Sequence, residues 1–187
     1  MRKIIVFNRI SLDGFFAGPN GEIDWFIHDP AVDQAAHEMM NPDTLLMGRL
    51  TYQMFAGYWP SVMTDPNASK EARITADELS QMTKLVFSST LDQATWQNTR
   101  LVKGDLIKEI RTLKQAEGAD ITIFGSGSIV QQLAKAELID EYLIIITPVV
   151  LGKGKSFFKD LKTNNLFLKE VRNFESGNIL AHYTTQL

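Results

Sequence analysis

The chain contains no cysteine, and that absence removes disulfides, thiolate nucleophiles and Cys-type zinc sites together. It has no excess of positive charge either, since 19 Lys and Arg stand against 22 Asp and Glu, for a net charge of −3. That balance gives no field for nucleic acid or for an anionic membrane, so any anionic ligand has to be held locally by a few donors. Long apolar runs are missing as well. The run Ile4–Phe7 is cut by Asn8 and Arg9, too short for a signal-peptide core or a membrane span, and a cytoplasmic protein is the expectation. His28, His37 and His182 show no metal-ligand spacing, and no metal site is expected.

What is present suits a single domain over residues 1–187, with 44% hydrophobic residues to fill one sizeable core. A strand from Lys3 to about Ile10 opens with four apolar residues, the pattern of a strand covered on both faces. Turn formers follow at Asp13-Gly14 and at Gly18-Pro19-Asn20-Gly21, and Asp29-Pro30 then reads as the N-cap and first turn of a helix buried through Val32, Ala35, Ala36 and Met39. Leu45–Met47 is a second short strand leading into Gly48-Arg49. The spacing from Trp59 to Asp77, with Pro60 and Pro66, predicts a long loop and a helix over about Ser69–Gln81. Leu85–Phe87 is a third strand, and Leu106, Ile107, Ile110 and Leu113 line one face of a helix closing near Gly118.

The alternation continues through a strand at Ile121–Phe124, a helix over about Ser126–Ala136 and a strand near Tyr142–Ile146. It argues an α/β fold with a mostly parallel central sheet and helices on both faces. Leu166–Phe174 and Ile179–Thr184 flank Glu175-Ser176-Gly177-Asn178, so a C-terminal antiparallel hairpin is expected. Asp140-Glu141 could be read as paired carboxylates, but adjacent strand residues point to opposite faces.

Three turns just past strand ends carry the chemistry. Gly125-Ser126-Gly127 can bring backbone N–H groups close to an anion and opens a helix whose first N–H groups are unpaired. Val130 occupies the third glycine position of a G-x-G-x-x-G fingerprint, which disfavours a standard dinucleotide-binding domain. Gly48-Arg49-Leu50-Thr51 and Ser88-Ser89 sit at equivalent places, where open α/β sheets collect ligands. Arg49 supplies a guanidinium suited to phosphate. The hydroxyls of Thr51, Ser88, Ser89, Ser126 and Ser128 could donate to phosphate or cap helices.

The order of SLDG, MGRLTY, FSS, FGSGS and DEYLIIITPVVLGKGKSFF resembles the dihydrofolate reductase-like superfamily, and within it the reductase domain of bacterial riboflavin biosynthesis and its stand-alone relatives. That resemblance implies a three-layer reductase fold and NADPH as cofactor. Gly48, Arg49 and Thr51 would hold the adenosine phosphates, Ser88 and Ser89 the adenosine end, and Gly125, Ser126, Gly127 and Ser128 the pyrophosphate. It also implies a small-molecule substrate shaped by Ser11, Asp13, Gly14 and Trp25, and a homodimer. By residue type Asp13 is the candidate proton donor if buried near the cofactor, and an Asp-Gly pair is more often a turn.

Two departures stand out. Dihydrofolate reductases place a carboxylate early in the first helix to hold the pterin, and here that register falls near Pro30 and Ala31, with Asp29 and Asp33 only adjacent. The riboflavin-type enzymes follow their second strand with an arginine-containing segment for the ribose phosphate, and Tyr52–Pro66 contains neither Arg nor Lys. A pyrimidine reductase of the riboflavin type, a dihydrofolate reductase, a nucleotide-binding module without turnover and a purely structural domain are the readings that follow.

Overall fold

Four consecutive apolar residues need cover on both faces, and the strand opened by Ile4–Phe7 lies inside the sheet with a parallel neighbour on each side. The computed structural model describes residues 1–159 and 161–186. In chain order the elements are β1 (Ile4–Ser11), β2 (Phe15–Ala17), α1 (Pro30–Glu38), β3 (Pro42–Gly48), α2 (Arg49–Val62), α3 (Lys70–Gln81), β4 (Thr83–Phe87), β5 (Thr99–Val102), α4 (Leu106–Gln115), β6 (Asp120–Phe124), α5 (Gly127–Lys135), β7 (Glu141–Thr147), β8 (Lys155–Ser156), β9 (Phe167–Asn173) and β10 (Ile179–Thr184). The main sheet runs β5-β4-β3-β6-β1-β7-β10-β9. Strands β5 to β7 of that order are parallel, while β10 is antiparallel to both β7 and β9. The expected α/β sheet and C-terminal hairpin are both present.

Three apolar clusters make the layers. Helices α4 and α5 bury Leu106, Ile110, Ile129, Val130 and Leu133 against one face of the sheet. On the other face α1 packs Val32, Ala35 and Ala36 over β1, β7 and β10, and α2 with α3 packs Tyr52 and Leu79 over β3 and β4. The two groups on this face do not merge into one core, and the gap between them is the long cleft described below.

Four details differ from the expectation. Helix α2 runs through Pro60 to Val62, because the missing N–H falls in the last turn and Phe55 and Trp59 are already anchored on the core. The edge strand β5 carries only four residues, too few for a periodic signal. Strands β2 and β8 pair antiparallel outside the main sheet. Lys84, in the middle of β4, is fully buried. Its ammonium donates to the Leu79 and Ser80 carbonyls at the end of α3, both at 2.9 Å, and lies 4.4 Å from the Trp96 ring, and burial pushes its pKa down to about 8.

Candidate functional site

The three turns expected to share a ligand are tied to one another by hydrogen bonds. The Gly48 N–H donates to Ser126 Oγ at 2.8 Å, and that hydroxyl donates to Thr51 Oγ1 at 2.9 Å. Gly125 and Ser126 both take left-handed backbone conformations, φ +56° and +59°, which turn successive N–H groups toward one concavity. A Cβ on Gly125 would sit 3.0 Å from Thr51 Oγ1, and one on Gly127 would sit 2.7 Å from the Phe16 ring. That ring stacks at 4.1 Å on the buried Phe157. The glycines are therefore needed for close approach as well as for turning.

Because Ser126 spends its hydroxyl on the other turns, it makes no side-chain cap for α5, and α2 begins at Gly48 with no side-chain cap either. Two helix starts thus leave first-turn N–H donors open toward the same place. Arg49, exposed at the start of α2, bonds Gln53 at 3.0 Å and pairs with no carboxylate among the described residues. Ser88 accepts from the Thr90 and Leu91 N–H groups, so its hydroxyl oxygen is already shaping its own turn.

All nine residues expected to hold the cofactor line one cleft of about 2390 Å³. That exceeds a single small-molecule pocket and leaves room for two ligands. Beyond the turns the cleft continues between α1 and the α2–α3 wall, over a floor of Phe7 and Phe124 packed edge to face at 5.2 Å.

The four residues expected to shape the substrate pocket do not line this cleft. Ser11 is fully buried, donates to Asp13 at 2.6 Å and accepts from the Phe15 N–H at 3.0 Å. Asp13 accepts from the Leu151 and Gly152 N–H groups at 3.1 and 2.7 Å. The SLDG and VVLGKG segments are therefore two halves of one clasp, completed by the β2–β8 pair and by Gly14 at φ +86°. The Ser11 hydroxyl, ahead of the Leu151 and Gly152 N–H groups, holds the Asp13 carboxyl below the ordinary aspartate range. The Asp13 carboxylate is thus engaged as an acceptor within the clasp, away from the cleft lining. Trp25 donates to the Glu22 carbonyl at 3.0 Å and packs edge-on against Phe26.

Two features of the cleft went unforeseen. Asn8 lines it with a buried Nδ2 that has no partner among the described residues. The signal was available, because Asn8 is the polar residue that interrupts an apolar run in a doubly covered strand. Arg9 pairs with Asp33 on α1, donates weakly to the Ile27 carbonyl at 3.4 Å and lies over the Phe26 ring. Among the described residues no group of three or more His, Asp or Glu could hold a metal ion, and no helix is long and apolar enough to cross a membrane.

An α/β domain of the dihydrofolate reductase-like class, with a nucleotide-sized cleft at the carboxyl ends of its parallel strands, is what fold and site define. The chain belongs to the RibD C-terminal domain family, which matches residues 2–180, and so to the general reductase type. It is 35% identical to the uncharacterized protein YyaP of Bacillus subtilis (strain 168) over 97% of this chain and 94% of the relative. A Shewanella sp. PV-4 protein provisionally assigned to riboflavin biosynthesis shares its structure with a TM-score of 0.72 and 25% identity, over 97% of this chain and 98% of the other. A Thermotoga maritima diaminohydroxyphosphoribosylaminopyrimidine deaminase and 5-amino-6-(5-phosphoribosylamino)uracil reductase shares the fold at a TM-score of 0.66 and 14% identity, over 98% of this chain and 56% of that one.

Proposed function

We propose that the protein is an NADPH-dependent reductase of a small conjugated or heterocyclic compound, of the same broad type as the pyrimidine reductases. The observation that carries this reading is the Gly48–Ser126–Thr51 hydrogen-bond chain, which fuses two uncapped helix starts and Arg49 into one anion cradle. The donor set fits a dinucleotide phosphate: backbone N–H groups, hydroxyls and one unpaired guanidinium. Asn8 Nδ2, a buried donor within β1 that is unpaired among the described residues, suits a carbonyl acceptor on the cofactor or the substrate. NADPH, when bound, supplies the hydride. The protein binds and orients, and the aromatic floor keeps water from the reacting face. Asp13 accepts from Ser11 and from the Leu151 and Gly152 N–H groups, and Asp29 accepts from Ser176 and from the Ala31 N–H.

Fluorescence titration with NADPH tests the reading, and a protein that shows no saturable response overturns it. A second reading, a nucleotide-binding module without turnover, draws on the same engagement of Asp13 and Asp29. Saturable NADPH binding with no NADPH oxidation across a panel of pterins, ribosylaminopyrimidines and quinones favours it.

A further inference from the structure

The half of the cleft beyond the cradle has a charge pattern of its own. Its α2 wall presents Leu50, Met54, Phe55, Tyr58 and Trp59, and several of these are unusually open, with Leu50 65% and Tyr58 56% exposed. Helix α1 contributes Asp29 and Asp33 to the lining, and α3 contributes Glu71 and Glu78. Among the described residues one guanidinium lines this half, that of Arg9, 8% exposed and already committed to Asp33, to the Ile27 carbonyl and to the Phe26 ring, while His28 and His37 also line it, with His37 3.7 Å from Glu78.

The cations that a phosphate could recruit are turned elsewhere. Arg73 of α3 donates to the Asp65, Pro66 and Ala68 carbonyls at 2.7, 3.0 and 3.3 Å, fastening the loop before its own helix. Neither Lys70 nor Arg73 lines the cleft. Arg49 and Lys103 border the cofactor turns, and Lys155 lies on β8, which Gln131 of α5 holds through the Ser156 carbonyl at 2.9 Å. A phosphate or carboxylate between α1 and α2 would thus be desolvated beside four carboxylates, with Arg9 already paired to Asp33 and the Lys155 ammonium beside Gly21 rather than on α1 or α2. That arrangement opposes binding both by repulsion and by lost hydration. A flat ring loses nothing there, because Phe7, Phe124, Phe55 and Trp59 offer ring faces and edges.

We infer that the substrate is a neutral or cationic conjugated ring compound without a phosphate or carboxylate, seated between α1 and α2. This rests on the reductase reading for its cofactor but not for its test. Riboflavin and its 5′-phosphate are matched probes that share one ring system and differ in the anionic group. Calorimetric titration of the full chain with each, run with saturating NADP+ so that the cradle is closed to the probe's phosphate and repeated without it, reads the charge selection, while NADPH titration is scored separately. Riboflavin is expected to bind at least about tenfold more tightly than its phosphate, and Tyr58→Arg, a change at an exposed wall position, should narrow that ratio by strengthening the phosphate form. Equal or tighter binding of the phosphate, or no binding of either probe, overturns the inference. Failure of NADPH to bind overturns the reductase reading and leaves the probe ratio standing.

Discussion

The two ends of the parallel strands treat polar groups in opposite ways. At the amino ends, charged groups are buried and satisfied. Arg2 pairs with Asp43 and donates to Thr44 at 2.8 Å and to the Ala119 carbonyl at 2.6 Å. Lys114 pairs with Asp140, which also accepts from the Ile4 N–H at 2.7 Å. Glu141 takes Lys3 at 2.9 Å, Lys169 at 3.0 Å and His182 at 2.7 Å. At the carboxyl ends, among the described residues, Arg49 has no carboxylate, two helix starts lack side-chain caps and Asn8 Nδ2 has no partner. Among the described residues, none of the four buried unpartnered side-chain atoms, on Asn8, Thr122, Thr147 and Asn178, lies at the amino-end edge. A fold does not gain by leaving buried donors open, so the contrast separates the end that holds the sheet together from the end where the proposed ligand would sit.

The largest effect expected lies at the satisfied end. Replacing Glu141 by Leu strips the buried His182 of its partner, and chemical denaturation should show a loss on the order of 3 kcal/mol with NADPH affinity unchanged. Acid makes the same point without mutation. Burial pushes the Glu141 carboxyl up, but its bonds from Lys3, Lys169 and His182 outweigh that and hold it at about 2, below the ordinary 4.5. A depressed carboxylate contributes stability above its unfolded value and loses it below, so this contribution is complete above pH 4.5 and fades as pH falls toward 2. A denaturation midpoint flat over that window would remove Glu141 from the account.

At the open end the order reverses, with large effects on binding and small ones on stability. Gly127→Val places side-chain atoms in the Phe16 ring, and NADPH affinity should fall by about tenfold to a hundredfold through displacement of the cradle, the free-energy range of one or two lost charge-assisted bonds. Arg49→Ala should weaken NADPH by about tenfold or more, on the charge-assisted scale, and NADH far less. Equal losses for both nucleotides would take the guanidinium away from the 2′-phosphate. Asp13→Asn is the mildest change for chemistry: it loosens the SLDG clasp and lowers the melting temperature while kcat is retained. A large fall in kcat at unchanged stability would restore Asp13 as a proton donor.

The turns that share the cleft were legible because each is local: a strand end, a glycine or serine, then a helix. The substrate half was not, and Ser11, Asp13 and Gly14 show why. Their pattern is that of a functional loop, yet the partners that make it a clasp, Leu151 and Gly152, lie more than a hundred positions away in the chain. The cleft between α1 and α2 is likewise a product of packing, since it exists where two apolar clusters fail to join. Pro60 concealed the end of α2 by the same logic, because tertiary anchoring of Trp59 overrode a local break signal.

The central claim is that the open polar groups at the carboxyl ends of the strands hold a phosphorylated dinucleotide. Equilibrium titration of NADPH into the wild-type protein and into Ser126→Ala, monitored by cofactor fluorescence, tests it most directly. The account requires saturable binding to the wild type and about tenfold weaker binding once the hydroxyl joining Gly48 to Thr51 is gone, the scale of one hydrogen bond to a charged group. Absence of saturable binding to the wild type, or identical affinity in the two proteins, contradicts it.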